Sequence, residues 1–180
     1  PDPLSITMIV PKLLPEATRR TLYVDMQRVY DELPEHLRQR CEGRRAFHEV
    51  TNYYKVQPWD RDKAICEIIE EVRAESPGAW HPLVIEHPVT GRKALYASRG
   101  FVTAVEGMTH EKCREFLDEL FAFVEDPARV RTHEWMPDDF VLWDNRSLIH
   151  HAGPLPADQK NISYRVTVMD GRPFYVGHSS

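Results

Sequence analysis

The residue types best suited to chemistry cluster towards the end of the chain. Trp143-Asp144-Asn145-Arg146 is followed by His150-His151 and then by Tyr164-Arg165. An imidazole can ligate a metal, and a guanidinium can clamp a carboxylate through a charge-assisted fork. The apolar run Phe140–Trp143 reads as a strand that delivers Asp144, Asn145 and Arg146 into a tight turn, and Leu148–His151 reads as the returning strand. With 153–161 as a connecting loop, His150 and Arg165 fall on neighbouring strands. Spacing alone leaves two readings open. The pair suits a metal-plus-carboxylate site, but a buried histidine is more often a hydrogen-bonded core residue and a strand arginine more often a salt-bridging surface group.

Other chemistries lack their signatures. The nine histidines form no His-Glu-x-x-His pair. There is no Gly-x-Ser-x-Gly elbow and no phosphate-binding glycine loop. The three cysteines, Cys41, Cys66 and Cys113, are too widely spaced for a disulfide framework or a zinc knuckle, which points to a reducing, cytoplasmic setting. A net charge of −5 argues against nucleic acid as a partner. No apolar run approaches the roughly 20 residues of a membrane helix, so no membrane partner is expected.

The elements that must position these residues alternate between two periods. Leu4–Val10 and Thr21–Val24 read as strands. Asp25 stands where an N-cap would, ahead of a short helix over Met26–Leu33, and His36–Cys41 adds a further helical turn or two. Asn52–Val56 reads as a short strand, and Asp60 as the cap of a helix whose apolar face is Ala64, Ile65, Ile68, Ile69 and Val72. Two strands around Thr90-Gly91 follow, over Pro82–Glu86 and Lys93–Ala97. Thr109 then caps a helix with Cys113, Phe116, Leu117, Leu120, Phe121 and Val124 on one stripe. From Val130 onward the pattern is strand again, over Arg131–Trp135, Phe140–Trp143, Leu148–His151 and Ser163–Met169. With 180 residues, 42% of them apolar, the expected fold is a single domain, mainly β with flanking helices, of the sandwich or jelly-roll kind.

Three motifs in order resemble the taurine dioxygenase (TauD/TfdA) family of Fe(II)- and 2-oxoglutarate-dependent dioxygenases. They are Thr21-Leu22-Tyr23-Val24-Asp25-Met26 with Tyr30-Asp31-x-Leu33-Pro34, His81-Pro82-Leu83-Val84 with His87-Pro88-x-Thr90-Gly91-Arg92-Lys93, and Trp143-Asp144-Asn145-Arg146-x-x-x-His150 with Tyr164-Arg165-x-Thr167. The resemblance implies a double-stranded β-helix (jelly roll) over 1–180, with His150 as an iron ligand and Arg165 and Thr21 on the far carboxylate of 2-oxoglutarate. Trp143 would stand behind the metal. It implies Fe(II), 2-oxoglutarate and O2 as cofactor and co-substrates, and a small anionic substrate whose C–H bond is hydroxylated, desaturated or carried to an isonitrile, with release of succinate and CO2. A homo-oligomer is among the associations it allows.

The family's other two metal ligands form a His-x-Asp run, and this sequence contains none. In the family that run precedes the strand matching Leu4–Val10, so the chain is expected to be N-terminally incomplete. A narrower resemblance, to the isonitrile-forming branch, rests on Tyr53-Tyr54-Lys55-Val56-Gln57 together with 142–152 and 164–171. That branch carries Lys-x-Arg where this chain has Lys55-Val56-Gln57. Tyr53, Lys55 and Gln57 would then alternate on one strand face and line a substrate pocket. A non-catalytic jelly-roll binding module is the competing expectation, and a metal-binding cupin of another reaction type is a second.

Overall fold

A computed structural model describes residues 3–178. The chain divides into two compact units. The first is built from the stretch ending at Leu33, from Ile85–Leu95, and from Phe123 onward; the second from Pro34–Val84 and Tyr96–Ala122. No helix among the described residues is long and apolar enough to cross a membrane.

The first unit holds two three-stranded antiparallel sheets. In one, β1 (Ile6–Leu13) lies between β9 (Val141–Asp144) and β11 (Ile162–Val168). In the other, β2 (Arg20–Asp25) lies between β8 (Val130–Glu134) and β10 (Leu148–Ala152). The chain crosses from one sheet to the other between β1 and β2, β8 and β9, β9 and β10, and β10 and β11. That winding is a jelly roll's. Pro11 sits in β1 beyond the stretch paired with β9, where a residue without an N–H is tolerated, and the ladder with β11 shifts register between Pro11 and Leu13. Thr7, Thr21 and Trp143 are buried between the sheets.

Asp25 caps α1 (Met26–Glu32) as expected, its Oδ1 accepting from the backbone N–H of Gln27 at 2.9 Å and of Arg28 at 3.1 Å. Met26, Val29 and Tyr30 are buried, and α1 lies against β6 (Lys93–Leu95). β6 pairs with β5 (Val84–Glu86) across a turn in which Gly91 has φ +68°, a conformation suited to glycine.

The second unit is a small sheet with helices. β3 (Arg45–His48) lies between β4 (Ala79–Pro82) and β7 (Val102–Val105). Its helices are α2 (Glu35–Cys41), α3 (Ile65–Glu75) and α4 (His110–Val124). The stripe read from the sequence of α4 is buried along its whole length, and Thr109 caps the helix, its carbonyl accepting from Cys113 N–H at 2.8 Å. β3, β4 and β7 were not read from the sequence as separate strands. Each has only four residues, too short for a period to declare itself.

Two expectations fail here. Asn52–Val56 is not a strand but a turn followed by irregular chain. Its polar groups are satisfied locally: Tyr53 N–H bonds Val50 O at 2.9 Å, and Asp60 Oδ2 accepts from Tyr54 Oη at 2.9 Å and Gln57 N–H at 2.7 Å. Asp60 therefore closes a 3-10 turn, Pro58–Asp60, and does not cap α3. That helix starts later, where Glu67 Oε2 accepts from Ala64 N–H at 3.0 Å. Its buried face narrows to Ile68 and Val72, while Ile65 is 72% exposed.

Candidate functional site

The turn between β9 and β10 is held by a buried polar network. Asp144 Oδ1 accepts from Arg146 N–H at 2.8 Å, and Asn145 N–H bonds Ser5 O at 2.8 Å. Asn145 Nδ2 donates to Leu4 O and to Thr7 Oγ1, each at 2.9 Å, while Trp143 Nε1 donates to Asn145 Oδ1 at 2.9 Å. The Arg146 guanidinium grips Asp170 through two bonds of 2.8 and 2.6 Å and reaches Ser5 Oγ at 2.8 Å. That fork holds the Asp170 carboxyl well below the usual carboxylate range.

His87 supports the same turn from the β5–β6 hairpin. Its Nδ1 accepts from Val89 N–H at 3.1 Å and Thr90 N–H at 3.3 Å, so that nitrogen is unprotonated. The proton then resides on Nε2, which donates to Asp144 Oδ2 at 3.0 Å. Asp144, Asn145 and Arg146 thus fix where β9 ends and β10 begins.

Trp143 and His150 leave that turn on opposite sheets and meet across the interior. Their ring centroids are 4.8 Å apart, and Tyr23 completes the cluster at 5.4 Å from Trp143 and 6.3 Å from His150. His150 pairs with Tyr23 in the β10–β2 ladder. The residue keeps solvent access, yet its ring is crowded by these aromatics. That desolvation lowers its pKa, and the charges of Arg165 and His151 lower it further. The imidazole is therefore neutral near neutral pH, the form that ligates metal.

Arg165 stands opposite Ile9 in the β11–β1 ladder, on the face that also carries Thr7 and Trp143. Its side chain is exposed and makes no ion pair or hydrogen bond among the described residues. Thr21 is buried on β2, opposite Ala152 and His133, and its Oγ1 accepts from Trp135 Nε1 at 2.9 Å. With one lone pair taken by the indole, the threonine hydroxyl keeps its own proton to donate.

The expected adjacency of His150 and Arg165 is corrected. β10 and β11 belong to different sheets, because the 153–161 connection crosses the sandwich, and the two residues face each other through its interior. Thr21 and His150 lie on one face of the β2 sheet, and Trp143 and Arg165 on one face of the β1 sheet; Thr21 and Trp143 are buried, while His150 and Arg165 are exposed. Tyr53, Lys55 and Gln57 belong to the second unit. Tyr53 stacks on Phe101 with centroids 5.5 Å apart, Lys55 is exposed, and Gln57 Nε2 donates to Lys55 O at 2.7 Å. Their alternation on one strand face fails with the strand. Sequence reasoning passed over Trp135, whose indole fixes Thr21, and Arg19, which stacks on it at 4.5 Å. The visible signal was the Arg19-Arg20 pair directly before Thr21.

Among the described residues no group of three or more His, Cys, Asp or Glu side chains stands together as a metal site. His150 offers one imidazole. The described residues do not by themselves fit iron(II), which needs further ligands.

Comparison with known proteins gives the following. The profile of the taurine catabolism dioxygenase TauD, TfdA family matches residues 20–167. The chain is 34% identical over 154 residues to (S)-phenoxypropionate/alpha-ketoglutarate-dioxygenase of Sphingobium herbicidovorans, covering 85% of this chain and 53% of that protein. A crystal structure of a protein from Burkholderia xenovorans, named provisionally as an alpha-ketoglutarate dependent 2,4-D dioxygenase, superposes with a TM-score of 0.79 at 31% identity, over 95% of this chain and 64% of the other. AAD-2 in complex with Mn(II) and N-oxalylglycine shares the fold, with a TM-score of 0.82 at 24% identity over 97% of this chain and 66% of the other. The chain spans about half the length of the curated relatives it matches.

Proposed function

From a chain that belongs to the taurine catabolism dioxygenase TauD, TfdA family, we infer an oxidoreductase that couples 2-oxoglutarate and O2 to the oxidation of a C–H bond in a small anionic substrate. Succinate and CO2 are the co-products. Residues 1–180 are the larger part of its dioxygenase domain. One observation carries the reading for this chain. Arg165, whose side chain has no anionic partner among the described residues, stands close enough to His150 for its charge to act on that imidazole, and Thr21, on the same sheet face as His150, keeps a hydroxyl proton to donate.

Each of these groups has a task that follows from its chemistry. Arg165 offers parallel N–H groups to the distal carboxylate of 2-oxoglutarate, and Thr21 donates a further hydrogen bond to it. Trp135 donates to the Thr21 hydroxyl oxygen, which leaves the hydroxyl its own proton to donate. His150, held in place by Trp143 and by its pairing with Tyr23, would supply one imidazole ligand to an Fe(II) in the complete protein. Trp143 and Tyr23 keep water from the inner side of the imidazole.

The substrate class favoured is an aryloxy acid, carried over from the relative named for phenoxypropionate, and the oxidation is a hydroxylation or a desaturation. The isonitrile outcome loses support because Gln57 replaces the branch's arginine and its segment forms no strand. A second reading, a binding module that keeps the Arg165 clamp without turnover, is favoured by the lone His150 among the described metal-ligating groups. Succinate release separates the two. The intact protein, supplied with Fe(II), O2 and 2-oxoglutarate, is tested against aryloxy acids, sulfonates and amino-acid conjugates. Oxygen-dependent succinate stimulated by one of them is expected. No succinate with any of them, alongside retained 2-oxoglutarate binding, would establish the binding module.

A further inference from the structure

Two arginines precede Thr21, and they have different surroundings. Arg20 is exposed and neutralised by Glu134 at 2.8 Å. Arg19 is half-buried and has no carboxylate partner among the described residues. Its Nη1 donates to Ser163 Oγ at 2.6 Å, bridging from the start of β2 to β11, and its guanidinium lies over the Trp135 ring at 4.5 Å. Its remaining N–H groups make no further hydrogen bond among the described residues.

Both anchors of Arg19 lead to the proposed acid-binding end. Trp135, beneath the guanidinium, is the residue that fixes Thr21 Oγ1. Ser163 is two residues from Arg165 on β11, so the two side chains leave the same face of the strand. A guanidinium held over an indole costs less to desolvate than an ammonium, but a partly buried cation without a counter-ion still calls for an anion. Two cations without a carboxylate partner among the described residues are thus tied to this end of the sandwich, Arg19 through the indole that bonds Thr21 and Arg165 through the strand face it shares with Ser163.

We propose that Arg19 is a second carboxylate-binding residue, which with Arg165 and Thr21 forms a two-guanidinium pocket for the distal carboxylate of a dicarboxylic 2-oxo acid. The proposal rests on the co-substrate reading above and deepens it by adding a residue outside the family motif. It predicts selectivity as well as affinity. A 2-oxo acid lacking the distal carboxylate gains nothing from Arg19.

Calorimetric titration of the intact protein in the presence of Mn(II) tests this, with 2-oxoglutarate and 2-oxobutyrate as ligands. Arg19→Gln is expected to weaken 2-oxoglutarate binding about tenfold, the effect of losing one charged hydrogen bond, and to leave 2-oxobutyrate unchanged. Arg19→Lys, which keeps the charge without the fork, is expected to fall between and serves if the glutamine variant does not fold. Equal weakening of both acids would make Arg19 a structural prop for Trp135 and overturn the proposal. So would unchanged 2-oxoglutarate binding in Arg19→Gln while Arg165→Gln loses it. If the unaltered protein binds neither acid, the co-substrate reading falls and this inference falls with it.

Discussion

Replacing Arg146 by methionine tests whether the turn that carries Trp143 and His150 is held by a buried charge network. The Arg146 side chain is 1% exposed, and its fork closes on Asp170, which is 22% exposed. Methionine keeps much of the volume but removes both guanidinium bonds from Asp170, leaving it the Arg172 N–H at 3.2 Å, and takes the donor from the Ser5 hydroxyl. Removing one partner of a buried ion pair costs about 3–5 kcal/mol, and the residual solvent access of Asp170 places this case near the lower end, about 3 kcal/mol. For a chain of this length that is a fall in Tm of about 6–12 °C. Circular dichroism during thermal and urea unfolding reads it directly.

The pair also has a pH signature. Asp170 titrates lower folded than unfolded, so its contribution is complete above the usual carboxylate range and is lost as pH falls through and below it. The stability gap between the unaltered protein and Arg146→Met should therefore narrow below about pH 4. A double-mutant cycle with Asp170→Asn should show coupling of at least about 1 kcal/mol. A loss below about 0.5 kcal/mol for Arg146→Met, or additive single effects, would refute the network argument.

Three further outcomes follow from the same geometry. Arg165→Gln should raise KM for 2-oxoglutarate at least about tenfold with a smaller change in kcat, by loss of a charged fork, and an unchanged KM would remove Arg165 from the acid-binding role. His48, stacked on Tyr96 at 4.9 Å, has its pKa pushed down by burial from 6.5 to about 4. The unfolded imidazole then takes up a proton that the folded one refuses, so stability should decline from about pH 6.5 to about 4 and level off below; a His48→Gln variant showing the same decline would contradict this. Gly78→Ala would place a Cβ 2.9 Å from His48 O and 2.4 Å from the Phe47 ring, so urea titration should show a loss of about 1–3 kcal/mol, and a neutral result would mean the second unit's sheet is looser than described.

What the sequence made legible was local. The cap at Asp25, the stripe of α4 and the strand runs around Trp143, His150 and Arg165 each depend on neighbours a few residues away, and each lies where periodicity placed it. Sheet membership was not legible. Nothing in the spacing of His150 and Arg165 says whether the 153–161 connection joins neighbours in one sheet or crosses to the other, because that is decided by which faces need covering. Tyr53–Val56 misled for a related reason. Its aromatic and β-branched residues suit a strand, but the Asp60 carboxylate captures the segment's donors into a turn. Arg19 and Arg20 are indistinguishable as letters, and only the position of Glu134 against one of them reveals the uncompensated other.

The most direct test of the central claim follows the oxygen atoms. The intact protein with Fe(II), 2-oxoglutarate and an aryloxy acid is exposed to 18O2, and the succinate is analysed by mass spectrometry. One labelled oxygen in the succinate, formed only in the presence of the aryloxy acid, is the predicted result. Unlabelled succinate, or none, would contradict the reading of this chain as part of a 2-oxoglutarate-dependent dioxygenase.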